Sequence, residues 1–195
     1  YGGTFNLFAV TMKKLGIECT FVDPDASEEE ISKAFRPNTK ALFGETIANP
    51  VLSVLDIEKF ARIAHKHGVP LIVDNTFPTP INCRPFEFGA DIVIHATTKY
   101  MDGHATNVGG CIVDSGNFDW EAHKDKFPGL TEPDESYHGL AYSKSFGKGA
   151  YTGNEKEIIT MVVSSHEYKK LVNMARTIDP NVFVTVTELN QVYGN

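Results

Sequence analysis

Short apolar runs rich in β-branched residues alternate with helical patterns from residue 17 onward, and this alternation constrains the fold most. Ile17 to Val22, Ala41-Leu42-Phe43, Leu71-Ile72-Val73, Asp91 to Ile94 and Ile112-Val113 read as strands. Leu71–Val73 and Asp91–Ile94 are apolar at consecutive positions, the mark of strands covered on both sides in a parallel sheet. Between them lie helical signals. Ser27 followed three residues later by Glu30 is a capping box. Asp56 precedes Ile57–His67, whose Ile57, Phe60, Ala61 and Ala64 share one face, and Gly68 ends the pattern. Strand, helix, strand at this spacing predicts an α/β layered sheet, mostly parallel, with helices on both faces.

Composition excludes several other classes. Eighteen Lys+Arg against 25 Asp+Glu give a formal charge of -7. That balance argues against a general nucleic-acid backbone binder, which clusters basic residues. No apolar run approaches the roughly 18 residues of a membrane span, and no secretory leader pattern opens the sequence. Three dispersed cysteines, Cys19, Cys83 and Cys111, fit a reducing, cytoplasmic setting better than a disulfide framework.

In open α/β sheets ligands gather at the carboxyl ends of the strands. Polar groups follow each apolar run: Glu45 to Asn49, then Asp74-Asn75-Thr76, then His95 to Tyr100. Lys99 stands directly after a strand, where an amine is either solvated or used covalently as a nucleophile toward an aldehyde. Asp74 ends another strand, where a carboxylate can keep a pyridinium nitrogen protonated. Tyr1 precedes Gly2-Gly3, where an aromatic ring can stack on a flat ligand. His95 and His104 bracket Lys99, but no third ligand stands at a metal-like spacing, so no metal site is predicted. His65 and His67 flank Lys66 at a helix end, where solvated cations suit the helix dipole.

Tyr1-Gly2-Gly3-Thr4, Asn49-Pro50, Val73-Asp74-Asn75-Thr76-Phe77 and His95–His104 stand in an order that resembles the Cys/Met-metabolism PLP-dependent enzymes. Thr97–His104 and Glu135-Ser136-Tyr137-His138-Gly139-Leu140 look most like the O-acetylhomoserine sulfhydrylase branch, near cystathionine gamma-synthase and methionine gamma-lyase. The resemblance covers roughly residues 1–150. It implies the central part of an aspartate aminotransferase-like fold, with pyridoxal 5'-phosphate as cofactor. It implies γ-replacement or elimination on an activated homoserine, with a sulfur nucleophile, in methionine and cysteine biosynthesis, by a homo-oligomer. Lys99 would carry the cofactor as a Schiff base and shuttle a proton. Asp74 would pair with the ring nitrogen, and Tyr1 would stack on the ring and assist the leaving group. Asn49 would sit near the 3′-oxygen, Thr98 near the phosphate, and Thr76 among the cofactor-binding residues. Ala96 stands where the family usually has a serine whose hydroxyl helps hold the phosphate. The family's glycine-rich phosphate loop, N-terminal arm and substrate-carboxylate arginine have no counterpart in these residues, so an incomplete site is expected.

After Phe146-Gly147-Lys148-Gly149-Ala150 the pattern changes. Glu157–Val163 reads as a strand, Ser165–Thr177 as an amphipathic helix and Val182–Val186 as a strand, a small β-α-β unit with a right-handed crossover. Gly149–Gly153, Ile178-Asp179-Pro180 and Thr187-Glu188 resemble the DUF2179-type C-terminal domain of YitT-like proteins. The expected organisation is therefore a partial PLP-binding domain over 1–150 and a small appendage over 151–195, joined as a fusion of two fragments. Two alternatives stay open: a divergent family member, and a non-catalytic chimera whose tail is a ligand-binding or interaction module.

Overall fold

The computed structural model describes residues 1–145, 158–162 and 172–173. The chain divides into two compact units, Tyr1–Thr160 and Met161–Asn195. In the first unit, strands β1 (Leu42–Glu45), β2 (Leu71–Asp74), β3 (Ile92–His95) and β4 (Gly110–Asp114) lie side by side in that order. β1, β2 and β3 are parallel, with Glu45 opposite Asp74 and Asp74 opposite Ile94. β4 returns antiparallel to β3, with His95 opposite Cys111.

Two helices occupy the places their capping residues mark. In α1 (Glu28–Ser32) the Glu30 N–H donates to Ser27 Oγ at 3.2 Å, and the Ser27 N–H donates to Glu30 Oε2 at 3.1 Å. In α2 (Ile57–Lys66) the Lys59 N–H donates to Asp56 Oδ1 at 2.9 Å. Gly68, at φ +63°, ends the turn that follows α2 in the left-handed region that favours glycine. α2 buries Ile57, Phe60, Ala61, Ile63 and Ala64 in one core with Leu42, Leu71, Val73 and Val93 from the sheet. Ile31 of α1, Phe118 and Phe127 complete that layer. Each large aliphatic side chain fully removed from water there, such as Leu71 or Ile63, contributes about 1.5–3 kcal/mol.

The strands are not equally buried on their two sides. Leu71 and Val73 are fully buried, whereas Ile72 and Asp74, on the opposite face, are half-buried. That face carries Phe43, and Phe8 from the N-terminal helical stretch packs edge-on against it with ring centroids 5.0 Å apart. The stretch comprises Gly2–Asn6, a π-helical Leu7–Thr11 and Met12–Lys14.

Ile17–Val22, expected as a strand, forms no ladder. Ile17 and Phe21 are each 53% exposed, and Phe21 packs on Phe5 with ring centroids 4.9 Å apart. β-branched residues supply a preference for extended backbone, but a strand also needs a neighbour to complete its hydrogen bonds.

A fifth strand, β5 (Ile158–Val162), coincides with the one expected over Glu157–Val163. Val172 and Asn173 are helical, inside the helix expected over Ser165–Thr177. The strand expected over Val182–Val186 and the junction motif at 146–150 lie outside the described residues.

Candidate active site at the carboxyl ends of β1, β2 and β3

The sheet's hydrogen bonding continues past the strand ends through backbone and side chains. Thr46 N–H donates to the Asp74 carbonyl at 2.9 Å, and Asn75 N–H donates to the Ile94 carbonyl at 2.9 Å. The next rung is a side chain, because Ala96 N–H donates to Thr76 Oγ1 at 2.9 Å. Thr76 Oγ1 in turn donates to Asp74 Oδ1 at 2.5 Å, and Thr76 N–H donates to the same oxygen at 3.0 Å. Asp74 thus has one oxygen held twice. Its other oxygen, Oδ2, has no hydrogen-bond partner among the described residues. A half-buried carboxylate with one free oxygen is an acceptor for a protonated ring nitrogen.

Asn75, which the sequence reading passed over, is the buried hub of this edge. It is fully buried; Thr46 Oγ1 donates to its Oδ1 at 2.9 Å, and its Nδ2 donates to the Cys83 carbonyl at 2.8 Å. The available signal was a second polar residue just beyond a continuous apolar run, where burial demands partners.

Glu45, opposite Asp74 on β1, gathers two of the predicted residues. Its Oε2 accepts from the Tyr1 backbone nitrogen at 3.0 Å and from the Asn49 N–H at 3.4 Å. The Tyr1 side chain is exposed, and its ring folds over Gly3, where an added Cβ would fall 2.8 Å from Tyr1 Cε1. The Asn49–Pro50 bond is cis.

Lys99 lies in a turn after β3, with its N–H donating to the Ala96 carbonyl at 3.2 Å. The amine is exposed and has no hydrogen bond or ion pair among the described residues. It lines a cavity of about 390 Å³ together with Phe77, Tyr100, Gly103, His104 and Ala105. Phe77 and Tyr100 meet edge-on, with ring centroids 5.9 Å apart. They also line a neighbouring cavity of about 770 Å³ that reaches Thr46, Ile81 and Cys83.

The Thr98 hydroxyl is engaged within the turn. It donates to the Gly109 carbonyl at 3.2 Å and accepts from the Gly109 N–H at 2.9 Å. A hydroxyl has one proton to give, so Thr98 must leave the Gly109 carbonyl to donate to a phosphate. Ala96 has no hydroxyl. His95 is buried at the end of β3 with its Nδ1 unpartnered, and burial pushes its imidazole below the usual histidine range. An Asn75 backbone hydrogen bond and the Asp74 charge pull the other way.

The cavity lined by Lys99, Phe77 and Tyr100 does not include Asp74, Tyr1, Asn49 or Thr98. The chemistry of an unpaired amine, an aromatic wall and, at the end of β2, a carboxylate with a free oxygen is that of groups able to hold the ring end of pyridoxal phosphate. The phosphate end has fewer donors ready.

The family model for Cys/Met metabolism PLP-dependent enzymes matches residues 1–151. A second model, an uncharacterized protein family conserved in bacteria (DUF2179), matches residues 142–194. The chain is 49% identical over 155 residues to a homocysteine/cysteine synthase of Kluyveromyces lactis, a stretch covering 79% of this chain and 35% of that protein. It is 47% identical over 148 residues to an O-acetyl-L-homoserine sulfhydrylase of Leptospira meyeri, covering 76% of this chain and 33% of that one. Among solved structures, an O-acetylhomoserine (thiol)-lyase of Campylobacter jejuni, carrying pyridoxyl-lysine phosphate, superposes with a TM-score of 0.69 at 38% identity. That superposition covers 74% of this chain and 35% of the other. The chain thus spans about a third of the length of the curated relatives it matches. With the family model matching most of its residues, the chain belongs to the Cys/Met metabolism PLP-dependent enzymes.

Proposed function

We propose that residues 1–150 contribute a pyridoxal-phosphate site for γ-replacement on an activated homoserine of the O-acetylhomoserine type, with a sulfur nucleophile entering. Family membership and the sulfhydrylase relatives support the substrate class. The observation that supports the site is that β2 ends on a half-free Asp74 carboxylate while the turn after the adjacent strand β3 presents an unpaired Lys99 amine. The cofactor, when bound, supplies an electron sink for negative charge on the neighbouring carbon.

The chain's own residues do the rest. Lys99 Nζ is the covalent attachment point and moves a proton at the substrate carbon. Asp74 Oδ2 accepts from the ring nitrogen, while Thr76 keeps Asp74 Oδ1 fixed. Tyr1 offers its ring as a stacking face, and Glu45 keeps the Tyr1 backbone beside Asn49, near the cofactor's 3′-oxygen. Thr98 donates to the phosphate once released from Gly109. The enzyme works as a cytoplasmic homo-oligomer, in keeping with three free thiols. For residues 151–195 the reading is a second module of ligand-binding or interaction type; the match of 142–194 to a different family model supports its separate origin.

The test is a titration of the full chain with pyridoxal phosphate, followed by visible absorbance. A saturable band in the parent that is lost in Lys99→Ala is the expected result. No band in the parent, or an equal band in Lys99→Ala, overturns the reading.

A further inference from the structure

The segment between β3 and β4 is exposed along most of its length, with one inversion. Val108 is 95% and Met101 42% exposed, while the charged Asp102 is partly covered. Both oxygens of its carboxylate accept hydrogen bonds from the loop. Oδ2 accepts from the Thr106 N–H at 2.9 Å and from Thr106 Oγ1 at 3.4 Å, and Oδ1 accepts from Asn107 Nδ2 at 3.4 Å. The Asp102 N–H donates to the Thr97 carbonyl at 2.9 Å, so the residue is tied to the same turn that presents Lys99.

The residues folded around this carboxylate are Gly103, His104 and Ala105, which form one wall of the Lys99 cavity. Gly103 at φ +80° and Ala105 at φ +52° both adopt left-handed backbone, which an alanine accepts only at a cost. That conformation needs an external hold, and the carboxylate provides it. Asp102 itself does not line the cavity.

The geometry points to Asp102 as a positioning residue that folds the 103–105 wall over Lys99 and so shapes the space in which the amine meets an aldehyde. This rests on the reading that Lys99 carries the cofactor.

The experiment treats the full chain with graded pyridoxal phosphate, reduces it with borohydride, and quantifies labelling at Lys99 and at the remote, exposed Lys33 by peptide mass spectrometry. Labelling at Lys33 in the same molecule reports general amine reactivity, which a merely structural role of Asp102 would leave in proportion. In the parent, Lys99 is expected to label at much lower pyridoxal phosphate than Lys33. Asp102→Ala should raise the half-saturating concentration at Lys99 by about fivefold or more with Lys33 unmoved. Asp102→Asn, which keeps a carbonyl acceptor for the Thr106 N–H, should recover most of the loss. Unchanged Lys99 preference in Asp102→Ala overturns the inference alone. Equal losses in the Asn and Ala variants also overturn it, because charge rather than the acceptor would then be responsible. A parent with no preference for Lys99 over Lys33 removes the Lys99 reading and the inference with it.

Discussion

Asp74 and Thr76 are bonded to each other twice, through the Thr76 amide and the Thr76 hydroxyl, both on Asp74 Oδ1. The same hydroxyl receives the Ala96 N–H, so one side chain links the end of β2 to the residue that follows β3. Thr76→Val keeps the shape and the amide bond but removes the two bonds of the hydroxyl, to Asp74 Oδ1 and from the Ala96 N–H. A hydrogen bond to a charged group contributes about 1.5–3 kcal/mol, so pyridoxal-phosphate affinity should fall by about tenfold or more, while Thr76→Ser stays near the parent. Equilibrium titrations of the three proteins check this; equal affinities for the Val variant and the parent would show that Asp74 is held by other means.

If the phosphate lies where the resemblance implies, Ala96 offers it no side-chain donor, and the Thr98 hydroxyl donates to Gly109. Ala96→Ser adds a hydroxyl at an exposed position without displacing a buried group. Affinity for pyridoxal phosphate should rise several-fold, with little change for pyridoxal, which lacks the phosphate. An equal effect on the two ligands would place the new hydroxyl elsewhere.

Asn75 is buried with both ends of its amide engaged. Asn75→Leu is close in size but strands the Thr46 hydroxyl and the Cys83 carbonyl. An orphaned buried polar group costs about 1–3 kcal/mol, so the two together should lower stability by about 2–5 kcal/mol. Urea denaturation followed by circular dichroism measures it.

His67 and His95 both sit below the usual histidine range, His67 chiefly through burial and then through Lys66 and Lys126, His95 through burial. A base depressed in the fold binds fewer protons folded than unfolded. Stability is therefore fully present above the unfolded value, near pH 6.5, and declines as pH falls below it toward the depressed folded values. His67 stacks on Phe35 with ring centroids 4.1 Å apart, and its Nε2 is buried without a partner. Urea midpoints between pH 7.5 and 5.5 should fall in the parent, and His67→Phe should flatten the slope. A parent midpoint independent of pH over that window would count against both histidines.

Where local chemistry closes on itself, the sequence is readable. α2 is bounded by Asp56 and Gly68 and patterned by residues that all turn out buried. The link of Asp74 and Thr76 to the residue after β3 follows from polar residues placed after apolar runs. Ile17–Val22 shows the limit: extended preference does not name a pairing partner. The solvated reading of His65 also missed a partner, since its Nε2 lies 2.8 Å from Oδ2 of the buried Asp91. Thr98 and Thr76 show another limit. Both are threonines near the cofactor motif, yet one hydroxyl closes a loop and the other joins two strands, a distinction set by approach of backbone far along the chain. The hydrogen bonds of Asp102 are not legible in the sequence, because they depend on how the loop turns.

β4 runs back alongside β3, and the segment from Ala96 to Gly109 has both its feet on adjacent strands. The lysine is therefore carried by a hairpin rather than by a crossover. Such a connection depends on contacts close in sequence, which form early and cheaply in chain entropy. The presentation of Lys99 therefore rests mainly on that hairpin, with Thr76 and Phe77 after β2 as its contacts outside it.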